Sequence, residues 1–145
     1  MKRGSISDLI AVGGQPTEDD LKALKAEGFV GIVNLRRDGE QNQPMSPAEE
    51  GLIAAAQGFQ YVHIPVNSSD PKREQVDAVR AALGAMTGKV FVHCQGGGRA
   101  CTMALLASQP NADPDRTMKQ AETAGFPITN PVSVQFVADV LRSKS

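Results

Sequence analysis

Short runs of β-branched and aliphatic residues alternate along the chain with longer segments whose apolar positions fall three or four apart. That rhythm predicts strands alternating with helices. Ile6, Leu9, Ile10 and Val12, followed by Gly13-Gly14, predict a short strand or strand pair within residues 4–15. Thr17 before Glu18-Asp19-Asp20 predicts a capped helix running to about Glu27, stopped by Gly28. Residues 29–35 are almost uniformly apolar, as expected of an interior parallel strand. Residues 36–44 are polar and read as a loop. Ser46-Pro47-Ala48-Glu49 joins a cap, a first-position proline and a third-position glutamate, so a helix starts there and ends at Gly58. Residues 59–66 alternate and predict a strand, and residues 67–71 predict a loop. Val76, Val79, Leu83 and Met86 share one face of a helix over 72–86.

Residues 89–92 predict another interior strand, followed by three glycines and an apolar helix over 100–107. Asn111-Ala-Asp-Pro114 opens a helix to about Ala124, and Pro131 opens a last one to about Leu141. The pattern predicts one α/β domain over residues 1–145. Its central, mostly parallel sheet is flanked by helices, and its C-terminal part is all helical.

Composition narrows the class. The chain has 145 residues, 41% of them hydrophobic, and a formal charge of −1, so no strong field points to nucleic acid or membrane. Lys2-Arg3, Arg36-Arg37 and Lys72-Arg73 are isolated basic pairs rather than a patch. The longest apolar run is far shorter than a membrane span, and the first fifteen residues lack a signal peptide's apolar stretch. Two cysteines make a disulfide framework unexpected and a cytoplasmic setting the default. Two histidines without a paired Cys-x-x-Cys argue against a zinc site, and no cofactor is called for.

The chemistry concentrates in His93-Cys94-Gln95-Gly96-Gly97-Gly98-Arg99. Glycines can take positive φ and leave backbone N–H groups uncovered. Such a loop before a helix turns successive N–H groups inward as an anion-binding nest, with the helix dipole behind it. Cys94 opens that nest, which should bring its thiol pKa below about 8.5 and make it a nucleophile. Arg99 offers a planar fork that can hold two oxygens of a tetrahedral anion. The candidate catalytic set is Cys94 and Arg99, with Gln95, Gly96, Gly97, Gly98 and Arg99 binding the substrate.

A histidine-cysteine pair and a downstream arginine, between a strand and a helix, resemble the signature of cysteine-dependent protein tyrosine and dual-specificity phosphatases. Ile6-Ser-Asp-Leu-Ile-Ala-Val-Gly-Gly-Gln-Pro-Thr17, Gly31-Ile-Val-Asn-Leu-Arg36 and Tyr61-Val-His-Ile-Pro-Val66 are similar to a bacterial branch, the beta-lactamase hydrolase-like phosphatase-like family. The resemblance reaches from near the start to Gln109. It implies a dual-specificity-phosphatase-like fold and a metal-independent phosphomonoesterase working through a cysteinyl-phosphate. The partners implied are a phosphorylated protein or a small-molecule phosphate ester. It also implies that His93 orders the loop behind Cys94.

Two departures stand beside it. The phosphatase pattern has one residue more between cysteine and arginine than the four present here. Four is the loop length of single-domain rhodaneses, which carry a persulfide. Ala100 follows the arginine where phosphatases usually place a hydroxyl. The alternatives are therefore a rhodanese-like sulfurtransferase or a non-catalytic phosphate-binding module.

Cleaving a phosphate ester also needs a proton for the leaving oxygen. Asp70 is the carboxylate in the 67–71 loop, where the resembling phosphatases carry their acid. Ser-Asp-Pro is equally an ordinary helix start, in which Asp70 would cap. Gln15 is either a turn residue or a contact to the loop. Arg36 and Arg37 either meet substrate or form a solvated face, and Cys101 is either a redox partner of Cys94 or a small packing residue. His63 reads as packing or a structural hydrogen bond.

Overall fold

A computed structural model describes residues 1–142. Five strands form one sheet: β1 (Arg3–Ser5), β2 (Ile10–Gly13), β3 (Phe29–Asn34), β4 (Gln60–His63) and β5 (Lys89–His93). Their order is β1-β2-β5-β3-β4, with β1 antiparallel and the other pairings parallel. The helices are α1 (Glu18–Ala26), α2 (Pro47–Ala56), α3 (Arg73–Ala85), α4 (Gly98–Ser108), α5 (Pro114–Ala124) and α6 (Pro131–Arg142). This is the α/β architecture the periodicity predicts, with three helices closing the chain.

Alternation along the strands sorts two apolar layers. Phe91 and Ile32 pack on one face with Leu21 and Leu24 of α1 and Ala54 of α2. Val90, Val92 and Val33 pack on the other with α3, α4, α5 and α6. Every residue from Ala100 to Ala107 is buried, which accounts for the absence of charge in that helix. Its larger side chains, Met103, Leu105 and Leu106, each contribute about 1.5–3 kcal/mol by burial. Among the described residues, no helix is long and apolar enough to cross a membrane.

Strand order decides where the loops meet. β5, late in the chain, inserts between β2 and β3. Gly13, His93, Asn34 and His63 consequently line up at the carboxyl edge of the sheet. The segments leaving those four residues gather at one place, the switch point where open α/β sheets bind ligands.

Three local expectations change. The strand expected over 59–66 is hydrogen-bonded as β4 only to His63; beyond it Ile64 and Val66 donate singly to Asn34 and Leu35, and Pro65 between them has no N–H. The helix expected from Ala100 begins at Gly98, so Arg99 lies in its first turn. Of the three loop glycines, only Gly97 has a positive φ, +109°.

Candidate active site

Cys94 leaves β5 with its N–H bonded to Gly13 O at 3.2 Å. Its residue exposure is 2%, and its Sγ accepts a hydrogen bond from Gly97 N–H at 3.1 Å. That contact requires Gly97's left-handed backbone, which also brings it under the Phe126 ring. Gln15 N–H donates to Gln95 O at 3.1 Å and ties the loop to the chain leaving β2. Gly14 allows this approach, because a Cβ there would lie 2.9 Å from Gln95 O. Gly96 and Gly98 face open space.

Arg99 turns to a partner 59 residues away. Its Nη1 and Nη2 donate to the two Glu40 carboxylate oxygens at 2.6 and 2.8 Å, and Nη1 also donates to Val66 O at 2.9 Å. Glu40 further accepts from Arg36 Nε at 3.1 Å and from Arg37 N–H at 2.7 Å. Burial alone would raise the Glu40 pKa. The hydrogen bonds from Arg99, from the Arg37 backbone and from Arg36 overcome it and bring the carboxyl down to about 2. The same hydrogen bond from Arg99 to Glu40 raises the guanidinium further.

Behind the loop runs a buried polar chain. His93 and Glu50 are fully buried, with His93 Nε2 2.6 Å from a Glu50 oxygen. The other ring nitrogen, Nδ1, lies 3.3 Å from Cys94 O. The second Glu50 oxygen accepts from Gln15 Nε2 at 2.7 Å, and Gln15 Oε1 accepts from Arg36 Nη1 at 3.0 Å. Arg36 also donates to Gln41 O at 2.6 Å and Asn42 O at 3.2 Å. Asn34 Oδ1 accepts from Arg36 N–H, and His63 Nε2 meets Arg36 O. Burial, then the negative Glu50, push the Tyr61 phenol far above its usual range. Its hydroxyl donates to Pro47 O at 3.0 Å. Among the described residues the orphaned buried side-chain atoms, Gln57 Oε1 and Gln120 Oε1, lie outside this network, which is a rigid mount for the loop rather than a liability.

The expected residues divide accordingly. Cys94, Gln95, Gly96, Gly97, Gly98 and Arg99 share one edge, with His93 beneath. A cleft of about 380 Å³ beside them is lined by Arg37, Glu40, Gln41, Ser68, Gln95 and Arg99. Asp70 is not on that wall. It is exposed, pairs with Lys72 at 3.0 Å, and lines a different cleft with Pro131, Gln135 and Phe136 of α6. Nor does it cap α3, whose N-cap is Lys72. Arg36 belongs to no solvated face, since it is fully buried, whereas Arg37 is exposed. Cys101 is buried in α4, and burial followed by the nearby Cys94 pushes its thiol up to about 12.

Sequence reasoning passed over Glu40 and Glu50 as site residues, and for Arg36 it offered substrate contact or a solvated face but not the buried brace it forms. For Glu50 a signal existed: it falls one helical turn before buried Ala54, on the inward face of α2. For Glu40 there was none locally, because Arg-Arg-Asp-Gly-Glu reads as a solvated charge run.

The model of the beta-lactamase hydrolase-like protein, phosphatase-like domain, matches residues 4–112. The chain belongs to that family. A beta-lactamase hydrolase-like protein of Agrobacterium fabrum is 35% identical over 106 residues, 73% of this chain and 25% of the relative. The chain thus spans about a quarter of the curated relatives it matches. Among solved structures, a DUF442 protein of Shewanella putrefaciens CN-32 superposes with a TM-score of 0.81 at 26% identity, covering 97% of this chain and 91% of that one. PTPMT1 in complex with PI(5)P superposes with a TM-score of 0.79 at 14% identity, covering 97% and 95%. The fold of the family is that of the tyrosine and dual-specificity phosphatases.

Proposed function

We propose that this chain is a sulfurtransferase built on a phosphatase fold, with Cys94 as the sulfur-carrying nucleophile. One observation carries the reading: among the described residues, the cleft beside Gln95 and Arg99 offers no protonated carboxyl for a leaving alkoxide. Its wall carboxylate, Glu40, is held ionised by Arg99, and Asp70 faces α6. Sulfur donors need no such acid, because sulfite or a thiolate departs as a stable anion. The short cysteine-to-arginine spacing and Ala100 support the same chemistry.

The steps balance simply. The Cys94 thiolate attacks the outer sulfur of a donor R–S–S⁻ or of thiosulfate. The donor's S–S bond breaks, and a thiolate or sulfite leaves with the electron pair. A persulfide remains on Cys94, steadied by Gly97 N–H and the loop amides. An acceptor thiolate or cyanide then attacks the outer sulfur, the new S–S bond breaks, and Cys94 thiolate returns. Arg99 fixes the edge of the cleft, and His93 with Glu50 holds the loop.

The test is intact mass after incubation with a hydropersulfide made from 2-mercaptoethanol, or with thiosulfate. A gain of about 32 Da on wild type, absent in Cys94→Ser and released by cyanide as thiocyanate, is expected. Absence of the adduct with both donors overturns the reading.

The fold itself favours a second reading, phosphate monoester hydrolysis, and the PI(5)P complex of PTPMT1 supports small phosphate esters as its ligands. Here Cys94 attacks phosphorus, Arg99 and the amides of 95–99 hold the oxygens, and Asp70 protonates the leaving group after its loop turns inward. Metal-free aryl phosphate hydrolysis that falls about a hundredfold in Asp70→Asn is its mark. Sulfur loading is expected to be indifferent to that substitution.

A further inference from the structure

The guanidinium expected to grip a substrate anion already grips Glu40. Both carboxylate oxygens are engaged by Arg99, and Arg36 and the Arg37 N–H hold the same group from behind. Glu40 is therefore built in. Leaving the site altogether would strip it of three donor groups, one on a fully buried arginine. Charge in the site is nearly balanced: Arg36 and Arg99 are offset by Glu40 and by the Cys94 thiolate that any attack requires. Arg37, more than half exposed, is screened by solvent.

A dianion entering this cleft meets a fixed carboxylate on its wall. A donor carrying at most one charge at its reacting end meets far less repulsion. We propose that Glu40 determines specificity, favouring organic persulfides over the dianions, phosphate monoesters and thiosulfate alike. This rests on sulfur transfer as the reaction and names its donor class. Discrimination comes from a repulsive element placed in the site rather than from an added contact.

The charge of Glu40, not its reach, is what matters, so two variants separate selection from mere support of Arg99. Glu40→Gln keeps the shape and removes the charge, whereas Glu40→Asp keeps the charge and shortens the arm. Inorganic phosphate binding, read by calorimetry, is expected to strengthen at least about tenfold in Glu40→Gln and not at all in Glu40→Asp. The ratio of thiosulfate loading to 2-mercaptoethanol hydropersulfide loading, measured within one variant, should rise at least about tenfold in Glu40→Gln and not in Glu40→Asp.

Wild type supplies an arm that does not depend on either variant folding. Relative to their rates with a free small thiolate, thiosulfate should lag the hydropersulfide by at least about tenfold. Phosphate binding no tighter in Glu40→Gln, or no lag of thiosulfate, overturns the inference. Failure of every donor to load wild type overturns sulfur transfer instead, and the phosphate arm still reads the charge effect.

Discussion

Gly97→Ala is the substitution on which the loop geometry turns. The residue has φ +109°, ψ −18°, a conformation that costs an alanine about 1–3 kcal/mol. A Cβ there would lie 2.1 Å from Phe126 Cε1 and 2.7 Å from two further ring atoms. The ring is buried in the α4–α6 layer and has no flexible end to withdraw, so relieving the overlap costs about 1–3 kcal/mol more. The expected loss is about 2–6 kcal/mol, read as a lower urea midpoint at unchanged m-value. Sulfur loading should fall as well, because Gly97 N–H is the donor to Cys94 Sγ. Gly96→Ala and Gly98→Ala, with nothing near the added carbon, should stay within about 0.5 kcal/mol of wild type. A cycle with Phe126→Ala separates the causes: in that background the steric part disappears and about 1–3 kcal/mol of backbone cost remains. Gly97→Ala as stable and as reactive as wild type would refute this account of the loop.

Other consequences follow from the buried charges. Glu40, brought from 4.5 to about 2 in the fold, contributes stability that is complete above its unfolded value and disappears as pH falls through 4.5 towards 2. The wild-type advantage over Glu40→Gln in urea should therefore shrink between pH 6 and pH 3, from on the order of 2–3 kcal/mol. Arg36→Met leaves Glu40, Gln41 O and Asn42 O short of a donor and should cost about 3–5 kcal/mol, with faster proteolysis within residues 36–44. Cys101, fully buried with its thiol pushed up to about 12, should resist iodoacetamide at pH 8 in the native protein and react only on unfolding, counted by mass.

Much of this molecule is written locally. The caps at Thr17, Ser46 and Asp113, the stop at Gly28 and the apolar periods set the strands and helices where the structure has them. Cys94, the glycines and Arg99 mark the candidate anion-binding loop because proposed nest, nucleophile and fork lie within six consecutive residues. What completes the site is not local. Glu40 reaches Arg99 across 59 residues and Glu50 reaches His93 across 43, and neither pairing has a sequence signature. They form because β5 inserts between β2 and β3, which brings the segments after Gly13, Asn34, His63 and His93 to one edge. Periodicity tells a residue which face it presents; only the strand order tells it whom it faces. For that reason the sequence by itself determined the architecture and the proposed nucleophile. Tertiary structure alone decided that Arg36 is buried, that Asp70 faces α6 and that a carboxylate sits on Arg99.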